Sequence, residues 1–126
     1  AGSICEKFMP TQGVRLLGQV SSFADFYRDC PVLINPVRTG TGLKIKTIEA
    51  LIHGRPVVTT RAGAEGLEAF VGHGLFIGDS PEEFAITAVE LLSNLSQAQK
   101  SGEAALRRAR DYVVGNRNTL AEALSK

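Results

Sequence analysis

The chain has 126 residues, with 14 Lys and Arg against 13 Asp and Glu and a formal net charge of +1. That length holds one domain with a real core, and the near-neutral balance lacks the basic excess of a nucleic-acid-binding surface. No apolar run approaches the roughly 20 residues of a membrane span, so a soluble, cytoplasmic α/β protein is expected. The two cysteines, Cys5 and Cys30, stand at unrelated spacing without a His cluster, which makes neither a disulfide framework nor a zinc site.

Val14-Arg15-Leu16-Leu17 predicts a first strand, ended by Gly18, with Gln19-Val20-Ser21 as the following turn. Ser21 or Ser22 caps a short helix that carries Phe23, Phe26 and Tyr27 on one face. The i, i+3, i+4 spacing reads these aromatics as core rather than as stacking platforms for a base. Asp29-Cys30-Pro31 closes the helix. Val32-Leu33-Ile34, bounded by Pro31 and Pro36, predicts a buried strand. The turn after it, Thr39-Gly40-Thr41-Gly42, has no bulky side chain, so its backbone N–H groups can approach a ligand. Leu43, Ile48, Leu51 and Ile52 then recur at helical spacing, and the helix stops at His53-Gly54 with Pro56 beyond.

The charges around that turn carry information. Lys44 and Lys46 fall in the first turn of the helix, where the macrodipole is already positive and a cation costs about 0.3–1 kcal/mol. Arg38 adds a third cation just before the turn. Three cations at a glycine-bearing helix N-terminus make sense when an anion, most simply a phosphate or diphosphate, completes the site. The plainer alternative is a pair of solvated lysines at a helix start.

Pro56-Val57-Val58-Thr59-Thr60 is the next strand. Strand, helix and strand with short joints predict a right-handed unit with parallel strands. Ligands of such sheets bind beyond the carboxyl ends of the strands, here the rim formed by residues 35–42 and 59–66. Arg61 and Glu65 lie on that rim and either reach the site or remain surface charges, while Gly63 and Gly66 signal unusual backbone angles. Leu75-Phe76-Ile77 is a last short strand. Asp79 or Ser80 caps the following helix, with Pro81 at its first position, Glu82 and Glu83 in its first turn, and Phe84, Ala88, Leu91 and Leu92 as its apolar stripe. Helices over 97–113 and 119–124 complete the chain. Arg107, Arg108 and Arg110, beside Glu103 and Asp111, read as a solvated face. No Ser-His-Asp set, metal cluster or close carboxylate pair can be assembled, and His53 and His73 read as structural.

The stretch from Gly40 to Thr60, Gly-Thr-Gly-Leu-Lys-Ile-Lys-Thr-Ile-Glu-Ala-Leu-Ile-His-Gly-Arg-Pro-Val-Val-Thr-Thr, resembles the donor-site segment of group 1 (family 4) glycosyltransferases of the GT-B fold. A looser likeness runs from Val14 to about Tyr112. The resemblance implies a three-layer Rossmann-like domain over residues 1–126, with Ala1-Gly2 as the tail of a strand. The first strand units and an N-terminal acceptor domain would lie upstream, along with any membrane association. It implies a nucleoside-diphosphate sugar as donor and no resident cofactor or metal, with lysine, arginine and helix-end amides neutralising the leaving group and the anomeric configuration retained. Gly40, Thr41, Gly42, Leu43 and Lys44 would hold the diphosphate, supported by Arg38 and Lys46, and Gly18 and Val20 would lie against the base. In that family a Glu-x7-Glu pair contacts the donor sugar and then the ribose. Glu49 matches the second Glu, whereas Thr41 stands where the first would be.

Two alternatives remain at this stage: a nucleotide- or phosphate-binding module without transferase activity, or another GT-B enzyme such as a sugar-nucleotide epimerase or a phosphorylase. A strand at 14–17 on a raw sheet edge further predicts self-association, as a homodimer or swapped oligomer.

Overall fold

The computed structural model describes residues 6–9, 11–39 and 44–115, with Val113 described in its backbone only. The turn at 40–43, Cys5 and the helix expected over 119–124 lie outside the described residues. In chain order the elements are α1 (Phe23–Arg28), β1 (Leu33–Asn35), α2 (Ile45–Ile52), β2 (Val57–Thr59), a 3-10 turn (Glu68–Phe70), β3 (Leu75–Ile77), α3 (Pro81–Ser93) and α4 (Leu95–Gly115).

The three strands form one parallel sheet in the order β1-β2-β3. Leu33, Val57 and Leu75 stand in register, as do Ile34, Val58 and Phe76, and then Asn35, Thr59 and Ile77. The alternation of a pleated strand sends these rows to opposite faces. Leu33, Val57, Leu75 and Ile77 join the larger cluster, with Ile48 and Leu51 of α2, Leu67 and Phe70 beyond β2, and Ala105 and Ala109 of α4. Val58 and Phe76 join the smaller one, with Phe84, Ala88 and Leu91 of α3 and Ala98 of α4. Helices therefore cover both faces, the arrangement expected of a parallel sheet.

Each junction has a local cause. Ser22, in extended conformation, caps α1 by accepting the Asp25 N–H on its hydroxyl at 3.2 Å. Ser80 caps α3 by accepting the Glu83 N–H at 3.1 Å, with Pro81 at the first helical position. Helix α2 ends where Gly54 takes φ +71°, a conformation that glycine adopts without a Cβ penalty. Helix α4 crosses just there. A Cβ on Gly102 would lie 2.0 Å from the Gly54 carbonyl oxygen, so only glycine at 102 lets the backbones approach this closely.

Two of the expected strands differ from the structure. Residues 14–17 do not form a strand, and Val14 and Leu17 are exposed. A run of apolar residues is extended in a sheet only where a neighbour supplies the ladder, and no described strand pairs with this one. The strand read as buried over 32–34 lies instead at Leu33–Asn35, and Ile34 is 58% exposed. It belongs to the edge strand, and α3 packs on the central β2 rather than over it. Among the described residues no helix is long and apolar enough to cross a membrane.

Candidate functional site

Helix α2 is the element on which the expected site depends, and the fold fixes it from several sides. Near its start, the Asn35 side-chain amide donates to Thr47 Oγ1 at 2.9 Å, tying the helix to the end of β1. Thr59 at the end of β2 donates its hydroxyl to the Asn35 carbonyl at 2.8 Å, and Thr60 donates to the Val37 carbonyl. The carboxyl ends of β1 and β2 are thus cross-linked where the chain leaves the sheet for α2. Asn35, Thr47 and Thr59 did not stand out in the sequence, and a polar residue closing each of two successive strands is the signal that could have found them.

The N-terminus of α2 has neither of the usual compensations. Lys44 occupies the cap position with no side-chain capping bond, and the first turn contains no acidic residue. Helix N-termini normally recruit Asp, Ser or Glu for their free N–H groups and positive potential. Here Lys44 and Lys46 stand in that position. Lys46 is 71% exposed, its ammonium 3.8 Å from Glu49 Oε2 and 4.9 Å above the centre of the Phe23 ring. Phe23, read as core, is half exposed and serves as the platform under Lys46.

Glu49 lies one turn further on, with 15% of its side chain exposed. A carboxylate at that depth needs a partner. Besides Lys46, it accepts the Tyr27 hydroxyl on Oε2 at 3.0 Å. Tyr27 is 3% exposed, and its ring stacks on His53 with centroids 4.8 Å apart. Burial raises the Tyr27 pKa well above its ordinary value, and the field and hydrogen bond of Glu49 add to the effect. The phenol therefore stays protonated and donating at any physiological pH. His53 Nδ1 lies 2.7 Å from the Glu49 carbonyl oxygen, at the C-terminal end of the helix. Expecting Tyr27 in the core was correct as to its ring and missed its hydroxyl.

The other expected residues are placed as follows. Lys46 and Glu49 are brought together, with Lys44 two residues before Lys46 at the cap position. Gly40, Thr41, Gly42 and Leu43 are outside the described residues. Gly18 takes φ +63° and Val20 is half-buried, both on the segment leading into α1. Arg38 is exposed and stands at a cleft of about 930 Å³ between the strand ends and α3, lined by Ile34, Pro36, Thr60, Ala62 and Phe84 among others. Arg61 does not point to α2: its backbone N–H and Nε donate to the two oxygens of Asp79, at 2.8 and 3.0 Å. Those bonds hold the Asp79 carboxyl below its usual range. Arg108 is not merely solvated, since its guanidinium lies 3.1 Å from His73 Nε2.

A parallel sheet with helices on both faces defines an α/β, Rossmann-like domain. Residues 4–94 match the family of glycosyl transferases group 1, and the chain belongs to that family. No curated protein and no solved structure matches the chain significantly.

Proposed function

We propose that this chain is the donor-binding, C-terminal part of a glycosyltransferase that moves a sugar from a nucleoside diphosphate to an acceptor. The observation that carries this reading is the start of α2, where Lys44 and Lys46 stand at a helix N-terminus with no side-chain capping bond and no acidic residue in its first turn. The diphosphate would lie on the backbone of Gly40, Thr41, Gly42, Leu43 and Lys44, with Arg38 and Lys46 completing charge neutralisation. Positioned amides and cations of this kind stabilise a departing nucleoside diphosphate as its charge develops, so transfer needs no divalent ion; retention of the anomeric configuration is what the family resemblance implies. Glu49 would accept the ribose hydroxyls, and Gly18 and Val20 would line the base through backbone contacts.

Thr41 in place of the first family glutamate favours a second reading, a nucleotide-binding module that does not transfer sugar. Kinetics of the intact protein distinguish the two and test Glu49. Glu49→Gln should raise the donor KM about tenfold, the value of a charged hydrogen bond, with only a small fall in melting temperature. An unchanged KM with a large fall in melting temperature would make Glu49 a structural carboxylate. No turnover of any nucleotide sugar by the parent would favour the second reading.

A further inference from the structure

The groups around Glu49 on α2 are arranged asymmetrically. Among the described residues, both side-chain contacts of the carboxylate fall on the same oxygen. Oε2 takes the Tyr27 hydroxyl at 3.0 Å and faces the Lys46 ammonium at 3.8 Å, while Oε1 carries neither. Tyr27 is fixed in turn: it is buried, its ring is stacked on His53, and Phe26 meets it edge-on at 5.2 Å between centroids. A phenol held this way is a rigid donor, whereas Lys46 is a long, exposed chain with many conformers. The one polar contact that can set the direction of the carboxylate is the one from Tyr27.

We propose that Tyr27 is a positioning residue for nucleotide recognition, occupying Glu49 Oε2 from beneath so that Oε1 is presented upward to a vicinal diol. This rests on the reading that Glu49 accepts the ribose hydroxyls. A carboxylate free to rotate presents both oxygens indifferently and loses orientational entropy on binding. One pinned through Oε2 has met that cost in folding and discriminates a ribose from its deoxy analogue by a single, fixed acceptor. The same hydroxyl compensates the burial of Glu49, so Tyr27 links α1 to α2 as well as aiming the carboxylate. Its raised pKa agrees with this role, because the phenol keeps the proton it donates throughout the physiological pH range.

The test uses the intact protein and three probes: UDP, 2′-deoxy-UDP and inorganic pyrophosphate, with GDP and 2′-deoxy-GDP as the second nucleotide pair. Tyr27→Phe keeps the ring and its stacking and removes only the hydroxyl. The expected result is a ribo-to-deoxy affinity ratio reduced about fivefold to tenfold, with pyrophosphate affinity unchanged. A ratio equal to that of the parent overturns the proposal. So does a parallel loss of pyrophosphate and nucleotide binding, or a protein that no longer folds, since either makes Tyr27 a packing residue. Glu49→Gln separates this failure from failure of the underlying reading. Loss of discrimination in Glu49→Gln but not in Tyr27→Phe rejects the positioning role alone. Discrimination that survives Glu49→Gln rejects the ribose assignment and the positioning role together.

Discussion

Replacing Gly102 by alanine tests how α2 is held. The new Cβ would stand 2.0 Å from the Gly54 carbonyl oxygen, 2.9 Å from its carbon and 3.4 Å from Pro56 Cδ. The obstructing atoms are mostly backbone, so no side chain can rotate away and α4 or the 53–56 turn must shift by about 1 Å. Two effects oppose each other. Alanine in a helix interior is favoured over glycine by about 1 kcal/mol, while forcing an extra carbon into a packed contact costs about 1–3 kcal/mol or more. Because the clash is with a carbonyl oxygen at the crossing of two helices, overpacking is expected to win by about 2 kcal/mol. For a domain of this size that corresponds to roughly 8 °C in melting temperature. Thermal and denaturant melts of Gly102→Ala beside the parent decide it, with Gly115→Ala, whose Cβ meets nothing within 4 Å, as the control. A Gly102 variant as stable as the parent, or more stable by the helix-propensity gain, would refute the close crossing of α4 over the end of α2.

The remaining predictions concern pH and metal. Tyr27 has its folded pKa raised above the ordinary 10.0, so its contribution to stability is fully present below pH 10 and is lost as pH rises through and beyond it; an alkaline melt series should show Tyr27→Phe losing less stability there than the parent. Asp79 has its pKa lowered from 3.8, first by the Arg61 backbone N–H and then by its side chain. Its contribution is present above that value and lost as pH falls below it, so Asp79→Asn should flatten the acid limb of a melt series, and an unaltered limb would discount the pair. Sugar transfer by the intact enzyme should persist in EDTA; complete loss restored by Mn²⁺ would place it in a metal-dependent class.

Much of the architecture was legible because it depends on local pattern. Val57-Val58-Thr59 and Leu75-Phe76-Ile77 are short apolar runs between turn residues, and both are strands. Ser80-Pro81 followed by two glutamates marks a helix start by capping and dipole rules, and α3 begins there. What failed depends on neighbours. Nothing within Val14-Arg15-Leu16-Leu17 says whether another strand lies beside it, and Ile34 is apolar whether or not a helix covers it. The candidate site divides the same way. Lys46 and Glu49 are one turn apart, and their proximity follows from helical spacing. Tyr27 and Glu49 are 22 residues apart, and Arg61 and Asp79 are 18 apart. Those pairs are set by how helices and loops dock.

Binding of a diphosphate where α2 begins can be read out by calorimetric titration. The intact protein and its Lys44→Ala/Lys46→Ala variant would be titrated with UDP and GDP at about 20 mM and about 0.5 M salt, where screening lengths differ severalfold. At low salt the variant should lose affinity at least roughly tenfold, from charged hydrogen bonds worth about 1.5–3 kcal/mol each, with a smaller gap at high salt. Equal affinities of parent and variant at low salt would contradict diphosphate binding there.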